Sequence, residues 1–190
     1  MSKAGSEAEK LKEETPHFTW EGYFKKIKCK PRDFPLPGLC GFDLFVSWLG
    51  AFLGISTVAF LTLYFDVPLL VASFGASAVL IYGVPEAPLS QPRNVILGHT
   101  IAATTGVVIY SIFGLTWWSA ALGCSLGILI MLITKTTHPP AGATALIGVW
   151  NQQAPMFIFA PVFVGAVILV IIGLITNNIS PRRSYPKYWI

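Results

Sequence analysis

Charge is what this chain has least of. Between Leu44 and Ser180 the only aspartate, glutamate, lysine or arginine residues are Asp66, Glu86, Arg93 and Lys135. A soluble domain carries charge at roughly a quarter of its positions. This stretch is therefore solvated by lipid, and the chain reads as an integral membrane protein. Cysteine is scarce too: Cys29, Cys40 and Cys124 are odd in number and too far apart for a disulfide framework or a metal site. There is no paired intramembrane carboxylate, no Ser/His/Asp set and no cluster of metal ligands, so neither an enzyme nor a bound metal or cofactor is expected. Asp66 and Glu86 stand alone beside expected turns. The basic excess is modest, and residues 1–43 set eight Lys/Arg against seven acids, which gives nucleic-acid binding no support. The first apolar run begins only near Leu44, so no cleavable signal peptide is expected; the acids of the arm argue against a transit peptide.

What is present divides into three parts. Residues 1–43 form a polar arm, 44–179 a membrane domain, and 180–190 a basic tail. Within the arm, Trp20, Phe24 and Ile27 recur at helical spacing among Lys25, Lys26, Lys28 and Lys30. That pattern suits a short helix on an anionic membrane surface, with a partly ordered tail as the alternative. Four apolar segments are long enough, or nearly so, to span a bilayer: Leu44–Phe65, Val95–Phe113, Trp117–Thr134 and Phe157–Thr176. Between them lie Val67–Gly83 and Pro139–Trp150, apolar but interrupted by proline, glycine, serine and threonine.

These six pieces read as an internal duplication. A shift of 67 positions sets Gly75 on Gly142, Pro88 on Pro155, Gly98 on Gly165 and Gly106 on Gly173. Gly50-x-x-x-Gly54 recurs as Gly123-x-x-x-Gly127. The repeats cover about 44–113 and 117–179. The expected fold is all-α: four long transmembrane helices plus two short broken half-helices. If the broken pieces cross the membrane, there are six crossings, the halves are inverted and the basic residues share one side; if they dip and return, there are four crossings and the halves are parallel. Six is preferred, with both termini cytoplasmic and a bacterial inner membrane as the expected location.

Two breaks at matching places in the two halves of a membrane protein point to a binding or conduction site. His138-Pro139-Pro140 reads as an extended approach to a helix, because proline is tolerated at a helix start and disruptive inside one. Ala141, Gly142 and Ala143, with Gly75 and Ala76 in the first half, expose backbone amides that favour an anion at the helix start. Ser77 and Thr144, matched by the repeat, add hydroxyls. The bland alternative is that the small residues serve close packing. The Gly-x-x-x-Gly pairs are best read that way, within one chain or between two copies of a homo-oligomer.

His99 and His138 can carry a proton near neutral pH or stand as neutral histidines donating to a carbonyl. Arg93 and Lys135 either draw an anion to the mouth or snorkel to the interface. Asn94 is the expected N-cap of the helix that follows Gln91-Pro92-Arg93.

Thr137 through Leu146, with Gln91-Pro92-Arg93-Asn94 and Gly98-His99, resemble the HPP family of integral membrane proteins, the likeness running from about Phe42 to Ile179. The resemblance implies four transmembrane helices and, from plant chloroplast and cyanobacterial members, transport of nitrite or a similar small anion. Some members carry CBS domains, which a chain of this length is not expected to hold. The expected partners are thus a small anion and the bilayer. The alternative is a membrane scaffold or assembly protein whose motifs only pack helices.

Overall fold

A computed structural model describes residues 19–21, 40–65 and 69–189. The chain divides into two units, Met1–Gly38 and Leu39–Ile190. In the first, Trp20 and Glu21 are helical; the surface helix expected over His17–Lys30 otherwise lies outside the described residues. Among the described residues, the second unit contains six helices of more than one turn and no strand.

Those helices are α1 (Gly41–Phe65), α2 (Ser73–Gly83), α3 (Pro92–Phe113), α4 (Trp117–Ile133), α5 (Pro139–Trp150) and α6 (Ile158–Asn177). Three of them, α1, α3 and α6, are long and apolar enough to span a bilayer. The sequence suggested four. With 17 residues, α4 covers only about 25 Å, because Thr116 stops it at one end and Lys135 at the other.

The stop signals are local. Thr116 and Ser119 form a reciprocal capping box at the start of α4. Lys135 takes a positive φ of 56° after α4 and Gln152 one of 54° after α5. In each case the next amide reaches back five places, Thr136 N–H to the Met131 carbonyl and Gln153 N–H to the Gly148 carbonyl. This is the helix-ending turn normally built with glycine. Helix α3 begins at Pro92 with Gln91 as its N-cap, not Asn94; the Asn94 amide instead donates to the Thr137 carbonyl at 2.9 Å. Helix α6 is broken near its start, where Ala160 is extended and Pro161 supplies no amide proton.

Each helix runs opposite to the one before it. At one end, Arg93 donates to the Thr134 carbonyl, joining the start of α3 to the end of α4. Ser180, just past α6, donates to Asp43 of α1 at 2.6 Å, and Arg183 donates to the Tyr82 carbonyl of α2. At the other end, the Thr62 hydroxyl accepts from the Leu69 and Leu70 amides, and Tyr110 donates to Gln152.

Helix α3 is central: half of its most apolar stretch is buried, against 22% for α1, whose Trp48, Phe52 and Leu63 face outward. Close approach is achieved at glycines. A Cβ on Gly50 would meet Tyr82 Cδ1 and Thr176 Oγ1, each at 2.7 Å. One on Gly123 would meet Val149 Cγ2 at 2.8 Å, with Ile109 Cβ at 3.8 Å. On Gly106 it would run into the Ala145 carbonyl.

The basic tail is an ordered strap. Arg183 is almost fully buried and donates to the Asp43 carbonyl, the Ser47 hydroxyl and the Tyr82 carbonyl, with its Nε 3.9 Å from Asp43 Oδ1. Tyr185 donates to the Ser90 carbonyl at 2.9 Å, and burial pushes its phenol above the ordinary tyrosine range. The Lys187 amide donates to Gln91 Oε1, and Lys187 Nζ pairs with Glu86 at 2.9 Å.

Candidate functional site

Five polar side chains meet where α2, α3 and α5 come together. Ser73 and Ser77 come from α2, His99 from α3, and His138 and Thr144 from α5 and its N-cap. None is more than 3% exposed. In a bundle almost without charge, polar groups at such depth must pair with each other. They form one continuous chain. Ser73 Oγ lies 2.8 Å from Thr144 Oγ1, which lies 2.8 Å from His99 Nδ1. His99 Nε2 lies 2.7 Å from Ser77 Oγ, which lies 3.0 Å from His138 Nε2. His138 Nδ1 ends the chain 2.8 Å from the Leu89 carbonyl oxygen.

That last contact sets the direction of all the others. A carbonyl can only accept, so Nδ1 of His138 carries the proton and Nε2 of the neutral ring accepts from Ser77. Ser77 has one proton to give, so it accepts from His99 Nε2. His99 Nδ1 then accepts from Thr144, and Thr144 accepts from Ser73. The two rings are opposite tautomers. Their centroids are 4.9 Å apart, and Phe74 meets the His99 ring edge-on at 5.3 Å.

The residues singled out from the sequence separate into two groups. Ser77, Thr144, His99 and His138 converge. Gly75, Ala76 and Ala143 are exposed on the outer surface of the bundle; a Cβ on Gly75 would meet nothing within 4 Å. Neighbours in a helix sit about 100° apart, so a contiguous run cannot face one spot. Ala141 is fully buried in the packing against Ala102, Met131 and Ala145. Gly142 is half-buried, with Cys124 Sγ at 4.0 Å from its notional Cβ.

The bare amide ends expected there are not bare. Pro139 and Pro140 have no N–H, and the Ala141 amide donates to the His138 carbonyl at 2.9 Å. In α2, the Phe74 and Gly75 amides donate to the Val71 and Ala72 carbonyls. Side chains, not backbone, face the interior. Arg93 and Lys135 lie at the end of the bundle nearer His138, Arg93 bonded to Thr134 and Lys135 exposed.

Two partners were missed in the sequence. Ser73 lies one turn before Ser77 on the same face of α2, and that i, i+4 spacing was the available signal. The Leu89 carbonyl left no signal, because any residue could have supplied it. At the end of the bundle opposite His138 a cleft of about 450 Å³ opens, lined by Val71, Ala72, Ile147, Asn151, Phe157 and Pro161 among others. Its wall at Ala72 is next in sequence to Ser73.

With this geometry established, likeness to known proteins becomes informative. Residues 39–186 match the family described as HPP, transmembrane region. The chain belongs to that family. A transmembrane protein of Dictyostelium discoideum is 40% identical over 183 residues, covering 88% of this chain and 63% of its own length. A second from the same organism is 42% identical over 155 residues, covering 75% of this chain and 50% of its own length. The chain thus spans between half and two thirds of these relatives. No solved structure matches it.

Proposed function

We propose that this member of the HPP family carries a small monoanion across the membrane, nitrite being the first candidate. The observation that carries the reading is the buried chain of three hydroxyls and two imidazoles in an otherwise apolar bundle. A polar cluster inside a membrane protein is costly unless paired, and it faces a bundle interior or solute pathway. Hydroxyl and imidazole donors suit an oxyanion, and a cleft walled by Val71 and Ala72 indents the bundle at the Ser73 end of the cluster.

The antiparallel succession of helices supports six crossings, α2 and α5 being the short pair. It puts Arg93, Lys135, Arg182, Arg183 and Lys187 at one end, which the positive-inside rule assigns to the cytoplasm of a plasma membrane. Helix contacts support two inverted repeats. Gly50 meets Tyr82 and Thr176, while Gly123 meets Val149 and Ile109. Tyr82 and Val149 differ by the same 67 positions as Ile109 and Thr176. The repeat also equates Ser77 with Thr144, the two hydroxyls on either side of His99.

Flux of nitrite, nitrate, formate and chloride into proteoliposomes tests this. Saturable movement of a monoanion, reduced at least tenfold by Ser77→Ala, is expected. A second reading has one observation in its favour: among the described residues, no buried side-chain nitrogen or oxygen lacks a partner. A cluster closed in this way also suits a scaffold whose helices are held by polar bonds. In that case no anion moves, and Ser77→Ala lowers only thermal stability in detergent.

A further inference from the structure

Building on the transport reading, we infer that His138 binds one proton together with the anion, so that anion and proton cross as a neutral pair. The geometry around Ser77 carries the argument. A hydroxyl has one proton and two acceptor positions. Ser77 Oγ has three neighbours in range: His99 Nε2 at 2.7 Å, His138 Nε2 at 3.0 Å and the Ser73 carbonyl at 3.3 Å. In the neutral chain its proton points to His138, and the Ser73 carbonyl one turn back, which has a second lone pair, is the other acceptor within its reach. When a proton from water binds the Nε2 lone pair of His138, no bond in the protein breaks. The new N–H donates to Ser77, and the Ser77 hydroxyl turns to the Ser73 carbonyl. Every hydrogen-bonding position is still filled.

His99 lacks this provision. Protonating its Nδ1 would force Thr144 to turn away, onto a Ser73 hydroxyl that already donates to it. The extra proton therefore belongs on His138, whose Nδ1–H remains on the Leu89 carbonyl.

The surroundings make coupling necessary. Around His138 stand Ser77 of α2, His99, Gly98 and Asn94 of α3, Met131 of α4, and Thr136 and Thr137 of the linker. Cys124 of α4 is bonded to the Gly142 carbonyl. Among the described residues, no hydrogen bond or ion pair joins an Asp, Glu, Lys or Arg side chain to the cluster. An anion entering alone would sit uncompensated in a medium of low dielectric, and so would an imidazolium. Together they neutralise each other. The proton returns to water at the opposite face when the anion leaves.

The test uses the purified full chain in proteoliposomes containing a lumenal pH dye, with voltage set by potassium and valinomycin. Nitrite and nitrate gradients are applied, and rates are taken above protein-free vesicles. Nitrate matters because its strong acid does not leak through lipid. The expected result is about one proton entering per anion, at a rate insensitive to voltage. His138→Gln should reduce proton entry at least tenfold. Histidine labelled with ¹⁵N should gain an Nε2 proton at His138 when nitrite is added to the wild type, a signature that needs no variant to fold.

Absence of any protein-dependent anion flux overturns the transport reading and this inference together. Anion flux that follows voltage and leaves lumenal pH unchanged overturns the coupling alone. Wild-type proton entry in His138→Gln moves the proton site elsewhere and overturns the assignment.

Discussion

His138 Nδ1 and the Leu89 carbonyl oxygen, 2.8 Å apart, fix the orientation of every proton in the chain behind them. The carbonyl belongs to the short 3₁₀ turn Pro88–Ser90, braced by Gln91, Tyr185 and Tyr188. Without an anion, ¹⁵N spectra of the labelled protein should show His138 protonated on Nδ1 and His99 on Nε2. The same tautomer at both positions would contradict the directed chain.

The strap over one end is expected to dominate stability. The Arg183 side chain is nearly buried, and removing it takes the donor from the Asp43 carbonyl, the Ser47 hydroxyl and the Tyr82 carbonyl, while Asp43 keeps Ser180 and Arg182. Arg183→Ala should cost about 2–3 kcal/mol in detergent unfolding. Lys187→Ala, whose partner Glu86 is half exposed, should cost well under 1 kcal/mol.

Glycines on different faces should respond in opposite ways. At Gly106 a methyl group would strike the Ala145 backbone, which cannot swing aside, so Gly106→Ala should destabilise by about 1–3 kcal/mol. At Gly75 a methyl would meet open space within a helix. Gly75→Ala should therefore stabilise by up to about 1 kcal/mol. Thermal unfolding of the two variants side by side separates packing glycines from incidental ones.

Left-handed backbone at two non-glycine residues gives another measurable quantity. Lys135→Gly and Gln152→Gly should each raise stability by about 1 kcal/mol, since glycine adopts that conformation without the Cβ clash. A loss of stability in both would show that their side chains contribute more than the backbone strain costs.

Crossing number has its own readout. Single cysteines at Glu86 and Asn151 should react with impermeant reagents from opposite sides of the membrane. Reaction from the same side would reduce six crossings to four.

Much of this was legible from local sequence. Proline after His138 announced the start of α5, and the scarcity of charge announced the membrane. The matched hydroxyls Ser77 and Thr144 were visible because a shift of 67 aligns them. What stayed hidden depends on contacts between distant positions: Ser77 with His138, Asn177 with the Ile81 carbonyl, and Arg183 with α1 and α2. The run Gly75-Ala76-Ser77 misled because it was read as one patch, although helical rotation sends its first two members outward. Of the amides expected at Ala141, Gly142 and Ala143, the first is taken by the His138 carbonyl, a bond that only the fold reveals.

At 12 residues α5 covers about 18 Å, well short of a hydrocarbon layer about 30 Å thick. With a cleft indenting the opposite end, water reaching both ends of α5 would leave only a thin insulating layer. Membrane potential would then fall steeply over a few side chains instead of gently across the whole bilayer. Any lone ion passing there would feel most of the field in one short step, about 2.3 kcal/mol per 100 mV. A pair with no net charge would pass at the same rate in energised and resting membranes.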